Sequence, residues 1–437
     1  MKLRIVMPVL GEGEGLARRL LALAPLRRRG AELVVVDGGS TDATWALACA
    51  HADRVLLAPP GRAAQMNAGA RGSRSQALLF LHADTQLPEQ ADRLIEQALA
   101  RGAAWGRFDL RIDSPHPLLR VVESLMNLRS RLTGIATGDQ AIFVRRDVFE
   151  GLRGFADLPL MEDIEFSRRL RAHSAPACLR ERVITSARRW ERHGVARTIA
   201  LMWGLRAAWF FGADARRLAA RYGYLPAPPA PPRTELAVLA RAPQQGQAKT
   251  RLIPALGPAG AARAQRRFTL ATLRTAQAAG LGPIRLWCAP DARHRFFRAL
   301  ERLRGIRGLA QPAGDLGARM LHAFARHFEA QPRVPMLLVG TDCPLLSPAH
   351  LQQAARALQE HDVVLIPAED GGYVLIGMRV LVPALFEQID WSTPQVLAQT
   401  RERLRACGAS WHELPALWDV DEPADWQRLR QLEIPDG

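Results

Sequence analysis

The chain has 437 residues, enough for two or three domains, and 48% of them are hydrophobic, which excludes a disordered protein. Its formal net charge of +16 points to polyanionic partners: nucleic acid, an anionic membrane face or phosphorylated substrates. Nucleic acid is set aside, because aromatics are only 6% and there is no zinc-finger spacing, RNA-binding aromatic signature or long basic run. The basic excess is uneven: up to Tyr224 there are 34 Lys and Arg against 23 Asp and Glu, and beyond it 25 against 20.

In chain order, "LRIVMPVL", "ELVVVDG", "RVLLA" and "ALLFLHAD" are short apolar runs separated by helical segments. After the proline-dense "YGYLPAPPAPPRTE", the runs "ELAVLARA", "IRLWCAP", "MLLVGTD" and "DVVLIPAED" repeat the scheme. Such runs between helices predict mostly parallel sheets covered on both faces, so each half reads as a doubly wound α/β fold. Prolines this dense favour extended polyproline conformation. The boundaries drawn are therefore a domain over 1–223, a linker over 224–234 and a domain over 235–437. The halves share an architecture without a strong residue-level repeat.

Cys49, Cys178, Cys288, Cys343 and Cys407 are scattered without a C-x-x-C pair, against a disulfide framework or structural zinc. The opening "MKLRIVMPVL" runs straight into strand-like sequence rather than a leader. No stretch of about 20 uncharged apolar residues is present. The expectation is a cytoplasmic protein. One segment, "VARTIALMWGLRAAWFFGADARR", has arginines around a Trp- and Phe-rich run, which suits either the interface of an anionic membrane, as a peripheral contact on its inner face, or burial within the protein.

In α/β sheets ligands bind beyond the carboxyl ends of the strands. "GEGEG" after the first strand looks like a dinucleotide loop, but Glu12 and Glu14 would face a pyrophosphate and the last glycine is misplaced. Asp37 ends the second strand, ahead of a turn whose Ser40, Thr41 and Asp42 can cap a helix. His82 and Asp84 flank one residue at the fourth strand's end; in extended chain both point to one side, where an imidazole and a carboxylate could hold a divalent cation, Mg²⁺ or Mn²⁺, on a diphosphate. Glu162 and Asp163 open a helical segment, where acidic residues suit the dipole. Asp139 and Gln140 in "TGDQAIF" face an acceptor or merely form a turn.

The ordered set "PVLGEGE", "VVVDGGSTDAT", "GRAAQMNAGA", "LFLHADT", "LRGFADLPLMEDIEFSRRL" and "SARRW" resembles a family 2 glycosyltransferase of GT-A fold, closest to the selenodomain-associated transferase 2 type, across the first half. The resemblance implies a nucleotide-sugar donor, with Glu12, Asp37, Arg62, Arg189 and Trp190 near the nucleotide. Asp84 matches the last carboxylate of a D-x-D metal motif whose first position is His82 here. Asp163 matches the catalytic base of the E-D motif beside Glu162. Departures are Gly11 for the usual Asn and Ser186 for Gln in Q-x-x-R-W.

In the second half, "ARAPQQGQAKTRL" places Gly246, Lys249 and Arg251 after the first strand, where a phosphate could be cradled, although P-loop spacing is absent. Lys249 is one of only two lysines, with Lys2, in an arginine-rich chain. Asp342 ends a strand, Asp370, Gly371 and Gly372 form an acidic two-glycine turn, and Asp419 and Asp421 precede a terminal helix. Carboxylates Asp342 and Asp421 around a metal, with Lys249 on phosphate, are the layout of nucleotidyl transfer. The set resembles the selenodomain-associated transferase 1 type, GT-A-like and akin to nucleotidyltransferases, which implies a nucleoside triphosphate substrate. The expected whole is a glycosyltransferase fused to a nucleotidyltransferase. The alternatives are a glycosyltransferase with a non-catalytic nucleotide-binding regulatory domain, or a membrane-surface scaffold.

Overall fold

The computed structural model describes residues 1–224 and 231–433. It divides into two compact units, Met1–Ser40 with Leu47–Pro228, and Thr41–Ala46 with Pro229–Gly437. Most of the proline-dense stretch drawn as a linker, 225–230, lies outside the described residues.

The first unit holds eight strands: β1 (Leu3–Val9), β2 (Glu32–Asp37), β3 (Arg54–Leu57), β4 (Ala77–Phe80), β5 (Thr85–Gln86), β6 (Trp105–Asp113), β7 (Phe143–Arg145) and β8 (Ala177–Ser186). They form one sheet in the order β3-β2-β1-β4-β7-β6-β8-β5. β1 and β4 are buried along their whole length and β2 at all but its first residue, as apolar runs with both faces covered must be. The expectation of mostly parallel sheets is met: β1 to β4 form a parallel block, and the antiparallel pairings lie beyond β4. β7 runs antiparallel to β4 and β6, β8 runs parallel to β6, and β5 runs antiparallel to β8. β7 and β5 have three and two residues, too short to print a periodic pattern on the sequence.

The second unit holds β9 (Glu235–Arg241), β10 (Ile284–Ala289), β11 (Gly308–Ala310), β12 (Met336–Val339), β13 (Val363–Pro367), β14 (Tyr373–Met378) and β15 (Trp411–Glu413). Their order, β11-β10-β9-β12-β14-β13-β15, follows the same plan: four parallel strands, one reversed strand, then a parallel pair. β13 and β14 form a hairpin across Ala368–Gly372, so the acidic two-glycine segment is its turn. Asp370 Oδ1 accepts the Gly372 N–H at 2.9 Å, and Gly371 takes φ +89°, a region that favours glycine. A Cβ at Gly371 would stand 2.2 Å from the Pro394 carbonyl oxygen.

Candidate active site

The site of the first unit is assembled at the carboxyl ends of β1, β2 and β4. Gln65, on the helix Arg62–Ala70, donates from Nε2 to the carbonyls of Val9 and Val36, both at 2.8 Å, and so ties the ends of β1 and β2. Asn67 on the same helix clamps Phe155 through its N–H and carbonyl, at 2.9 and 2.8 Å. These two residues of "GRAAQMNAGA" are positioning groups that sequence reasoning passed over.

Asp37 is wholly buried. Its Oδ1 accepts from the Gly39 N–H, the Ser40 N–H and the Ser40 hydroxyl at 3.0, 2.9 and 2.6 Å, which shapes the turn after β2. Glu12 pairs with Arg19 at 2.8 Å and Arg188 at 3.4 Å. Trp190 is half-buried on the helix Arg188–His193, while the side chain of Arg189 lies outside the described part.

The extended strand assumed for His82 and Asp84 does not reach them. β4 ends at Phe80 and Ala83–Asp84 lie in a turn, so the two-residue alternation of a strand no longer applies. His82 is buried, with Nδ1 3.0 Å from Asp139 Oδ1. The Cε1–Nε2 edge of its ring faces Gly138, where a Cβ would come within 2.3 Å of both atoms, and its Nε2 is buried without a hydrogen-bond partner. Asp84 is half-buried, and its carbonyl accepts the Ser186 N–H at 3.1 Å, joining the turn to the end of β8.

Glu162 and Asp163 open the helix Glu162–His173. Asp163 is held by two backbone donors, Gly138 N–H to Oδ2 at 2.8 Å and Ile164 N–H to Oδ1 at 2.7 Å. Glu162 is buried, and its carboxyl is pushed up to about 7, first by burial and then by Asp163, with Arg62 and His82 pulling the other way. For Arg62 burial opposes the charge, but Tyr224, Glu162, Asp139 and Asp84 outweigh it and hold the guanidinium above its ordinary range. Arg62, Asp84, Asp139, Glu162 and Asp163, with His82, thus share one electrostatic neighbourhood. Sequence reasoning missed Arg129, on the helix Pro117–Thr133. Its guanidinium is lowered by burial, and Asp163 acts against that shift. Its Nε and Nη2 are buried without hydrogen-bond partners. Nothing in the local sequence distinguishes it from the other arginines.

In the second unit Lys249 projects from the loop after β9 to Asp342 Oδ1 at 2.8 Å, Asp421 Oδ1 at 2.6 Å and the Val420 carbonyl at 2.7 Å. Arg251, mostly exposed, stands 3.8 Å from Asp421. The neighbouring Asp419 carboxyl is pushed up to about 7 by burial and then by Asp370, Asp421 and Asp342. Lys249, Asp342, Asp370, Asp419 and Asp421 are therefore brought together. Cys343 is buried and its thiol is pushed up to about 12 by burial, as suits a packing residue rather than a nucleophile. Asp425 Oδ2 accepts from the N–H groups of Asp421 and Glu422 at 3.1 and 2.8 Å, ahead of the helix Pro423–Glu433.

Residues 4–153 match the model of glycosyl transferase family 2. Residues 272–393 match a family described as "Uncharacterized protein conserved in bacteria (DUF2064)". No curated protein matches the chain. Among solved structures, the chain is similar to a protein from Desulfovibrio desulfuricans G20, provisionally described as a nucleotide-diphospho-sugar transferase. The identity is 28% over 47% of this chain and 89% of that one, with a TM-score of 0.43. It is also similar to S. aureus TarS 1–349, at 16% identity over 43% of this chain and 61% of that one, with a TM-score of 0.37. The same protein in complex with UDP-GlcNAc matches at 16% identity over 43% and 58%, with a TM-score of 0.36. The chain spans less than two thirds of TarS 1–349 in both matches. The architecture is two α/β units in tandem with a shared strand plan, the first of which contains the glycosyl transferase family 2 match.

A divalent cation is the group that the glycosyl transferase family 2 match implies. Among the described residues, no cluster of three or more His, Cys, Asp and Glu is arranged to hold one. In the first unit Asp84 fits the part of a ligand, as a half-buried carboxylate in a turn at a strand end. His82 does not fit, because Nδ1 is committed to Asp139 and Nε2 is pressed onto Gly138. In the second unit Asp342 and Asp421 do not fit, because an ammonium already bridges them.

Proposed function

We propose that the first unit is an inverting glycosyltransferase that moves a sugar from a nucleotide-sugar to an acceptor hydroxyl. The observation that carries this reading is the gathering of Arg62, Asp84, Asp139, Glu162 and Asp163 at the strand ends of a unit that matches glycosyl transferase family 2. Asp163, held by two N–H groups, takes the acceptor proton as the acceptor oxygen bonds to the anomeric carbon. The bond to the diphosphate breaks, and its electron pair leaves on the nucleoside diphosphate. Arg62 lies toward the leaving phosphates, while Glu12, Asp37, Arg189 and Trp190 form the nucleotide side. A divalent cation, Mg²⁺ or Mn²⁺, would be held by Asp84 and would supply charge neutralisation on the diphosphate. Screening nucleotide-sugars by thermal shift, followed by transfer assays on Asp163→Asn, tests the reading: the variant binds donor and does not transfer.

The second unit we read as a nucleotide-handling domain, with Lys249 and Arg251 beside Asp370, Gly371 and Gly372. Nucleotidyl transfer by it, giving a bifunctional enzyme, is one outcome. Nucleotide binding without turnover is the other, favoured by the engagement of Lys249 with two carboxylates. Turnover of nucleoside triphosphate by the full chain, abolished by Asp342→Ala, separates them.

We further propose a peripheral contact with an anionic membrane. No described helix is long and apolar enough to cross one. The helix Val195–Phe210 packs Leu201, Leu205 and Ala208 against Leu160, Met161 and Leu218. Trp203, Phe210 and Phe211 on its other side are exposed, the last two at 84%. On the helix Pro117–Thr133, Leu118, Val121, Leu125, Leu128 and Leu132 are also exposed, at coiled-coil-like spacing.

A further inference from the structure

Asp342 and Asp421 are the carboxylates that a metal-dependent nucleotidyl reaction would need in the second unit. What lies between them is Lys249. The ammonium donates to Asp421 Oδ1 at 2.6 Å and to the Val420 carbonyl at 2.7 Å, and it forms an ion pair with Asp342 Oδ1 at 2.8 Å. The lysine side chain is 6% exposed, and its nitrogen sits over the Phe268 ring, 5.8 Å from the centroid.

A divalent ion bridging the same two oxygens would lie about 2.0–2.6 Å from each. The ammonium nitrogen is within an ångström or so of those distances. Two cations cannot share that position, on grounds of volume and of charge. The arrangement also accounts for lysine in a chain that otherwise uses arginine almost everywhere. A planar guanidinium cannot place one compact charge at the meeting point of three acceptors, whereas a slim ammonium can. Lys249 itself sits at φ +49°, in a backbone region that residues with side chains rarely adopt. The three segments it joins are the loop after β9, the end of β12 and the stretch before the helix Pro423–Glu433.

We propose that Lys249 is the resident cation of this cleft: its ammonium takes the place of a divalent ion between Asp342 and Asp421, and the phosphate-bearing ligand of the second unit is bound without a metal on these carboxylates. The ligand class rests on the nucleotide-handling reading above. The exclusion of metal rests on the geometry alone, and its test uses no nucleotide.

The test titrates Mn²⁺ into the full-length chain and reads free Mn²⁺ by electron paramagnetic resonance. All variants carry Asp84→Asn, so the cation proposed for the first unit does not contribute, and comparison with the unmodified chain tests that reading separately. The Asp84→Asn chain should show no Mn²⁺ binding tighter than about 1 mM that Asp342→Asn removes. Adding Lys249→Met should create a site at least about tenfold tighter, lost again with Asp342→Asn. Tight Mn²⁺ binding that depends on Asp342 while Lys249 is present overturns the proposal, and so does a folded Lys249→Met chain that gains no site. Should Lys249→Met not fold, thermal shift with Mn²⁺ against EDTA on Asp84→Asn, with and without Asp342→Asn, decides alone. Equal shifts support the proposal, and a Mn²⁺ shift removed by Asp342→Asn overturns it.

Discussion

Glu162 gives the sharpest quantitative handle on the first site. The residue is 4% exposed, and its carboxyl is pushed up from the ordinary 4.5 to about 7, chiefly because burial disfavours its charge and then because Asp163 is near. Its folded-state pKa is raised, so between pH 4.5 and 7 the folded chain keeps a proton that the unfolded chain has released. Stability therefore falls as pH rises through that window: the cost is absent below it and complete above it. At about 1.4 kcal/mol per pH unit, the ceiling of the cost is roughly 3 kcal/mol. Glutamine keeps the shape and removes the charge, but it also forfeits the attraction to Arg62. Glu162→Gln should accordingly be more stable than the parent by about 1–3 kcal/mol at pH 8 and indistinguishable from it at pH 4. Urea titrations at pH 4, 6 and 8, read by hydrogen exchange of the helix Glu162–His173, measure this without assuming that both units unfold together. An advantage of the same size at every pH, or a loss at pH 8, would refute the placement of an ionised Glu162 in a disfavouring site.

Asp163→Asn should lower transfer by about 10²–10⁴-fold while donor binding is kept; near-parental turnover would remove Asp163 from the mechanism. Gly138→Ala would drive a methyl against the His82 ring, destabilising the first unit by about 1–3 kcal/mol by overpacking, and an unchanged melting profile would show that the ring yields freely. Asp84→Ala should abolish any dependence of donor binding on Mg²⁺ or Mn²⁺, measured by calorimetry with and without EDTA; a dependence that survives places the cation elsewhere. Replacing Trp203, Phe210 and Phe211 with Ala should weaken flotation with anionic vesicles at low salt, and equal flotation would clear this face of a membrane role.

Much of this could be read from the sequence because the relevant physics is local. The runs "LRIVMPV", "ELVVVD" and "ALLF" are apolar without alternation, and only strands covered on both faces call for that. Positions at their carboxyl ends, Asp37 and Asp84, follow from the same pattern. What escaped depends on where the strand stops. The pairing of His82 with Asp84 assumed that the strand runs on to Asp84, whereas β4 ends at Phe80. Its true partner, Asp139, is 57 positions away and reaches it only because Gly138 lets the backbone approach the ring. The turn between β13 and β14 was legible as an Asp-Gly-Gly beside apolar runs, whereas the reversal of β14 against β12 was not.

Lys249 shows the limit most clearly. Its loop, its neighbours Thr250 and Arg251 and its rarity in the composition all mark it, and every one of those signals is equally consistent with a phosphate contact. The decisive facts are non-local: Asp421 lies 172 positions later in the chain, and Asp342 comes from the end of a different strand. A charge is defined by what surrounds it, and the pattern of residues around Lys249 in sequence says nothing about which acids the fold delivers. A carboxylate pair at two strand ends is a metal site only while no cation of the chain's own reaches it. One side chain of four methylenes, set at a left-handed residue, is enough to change the chemistry that the same two carboxylates can support.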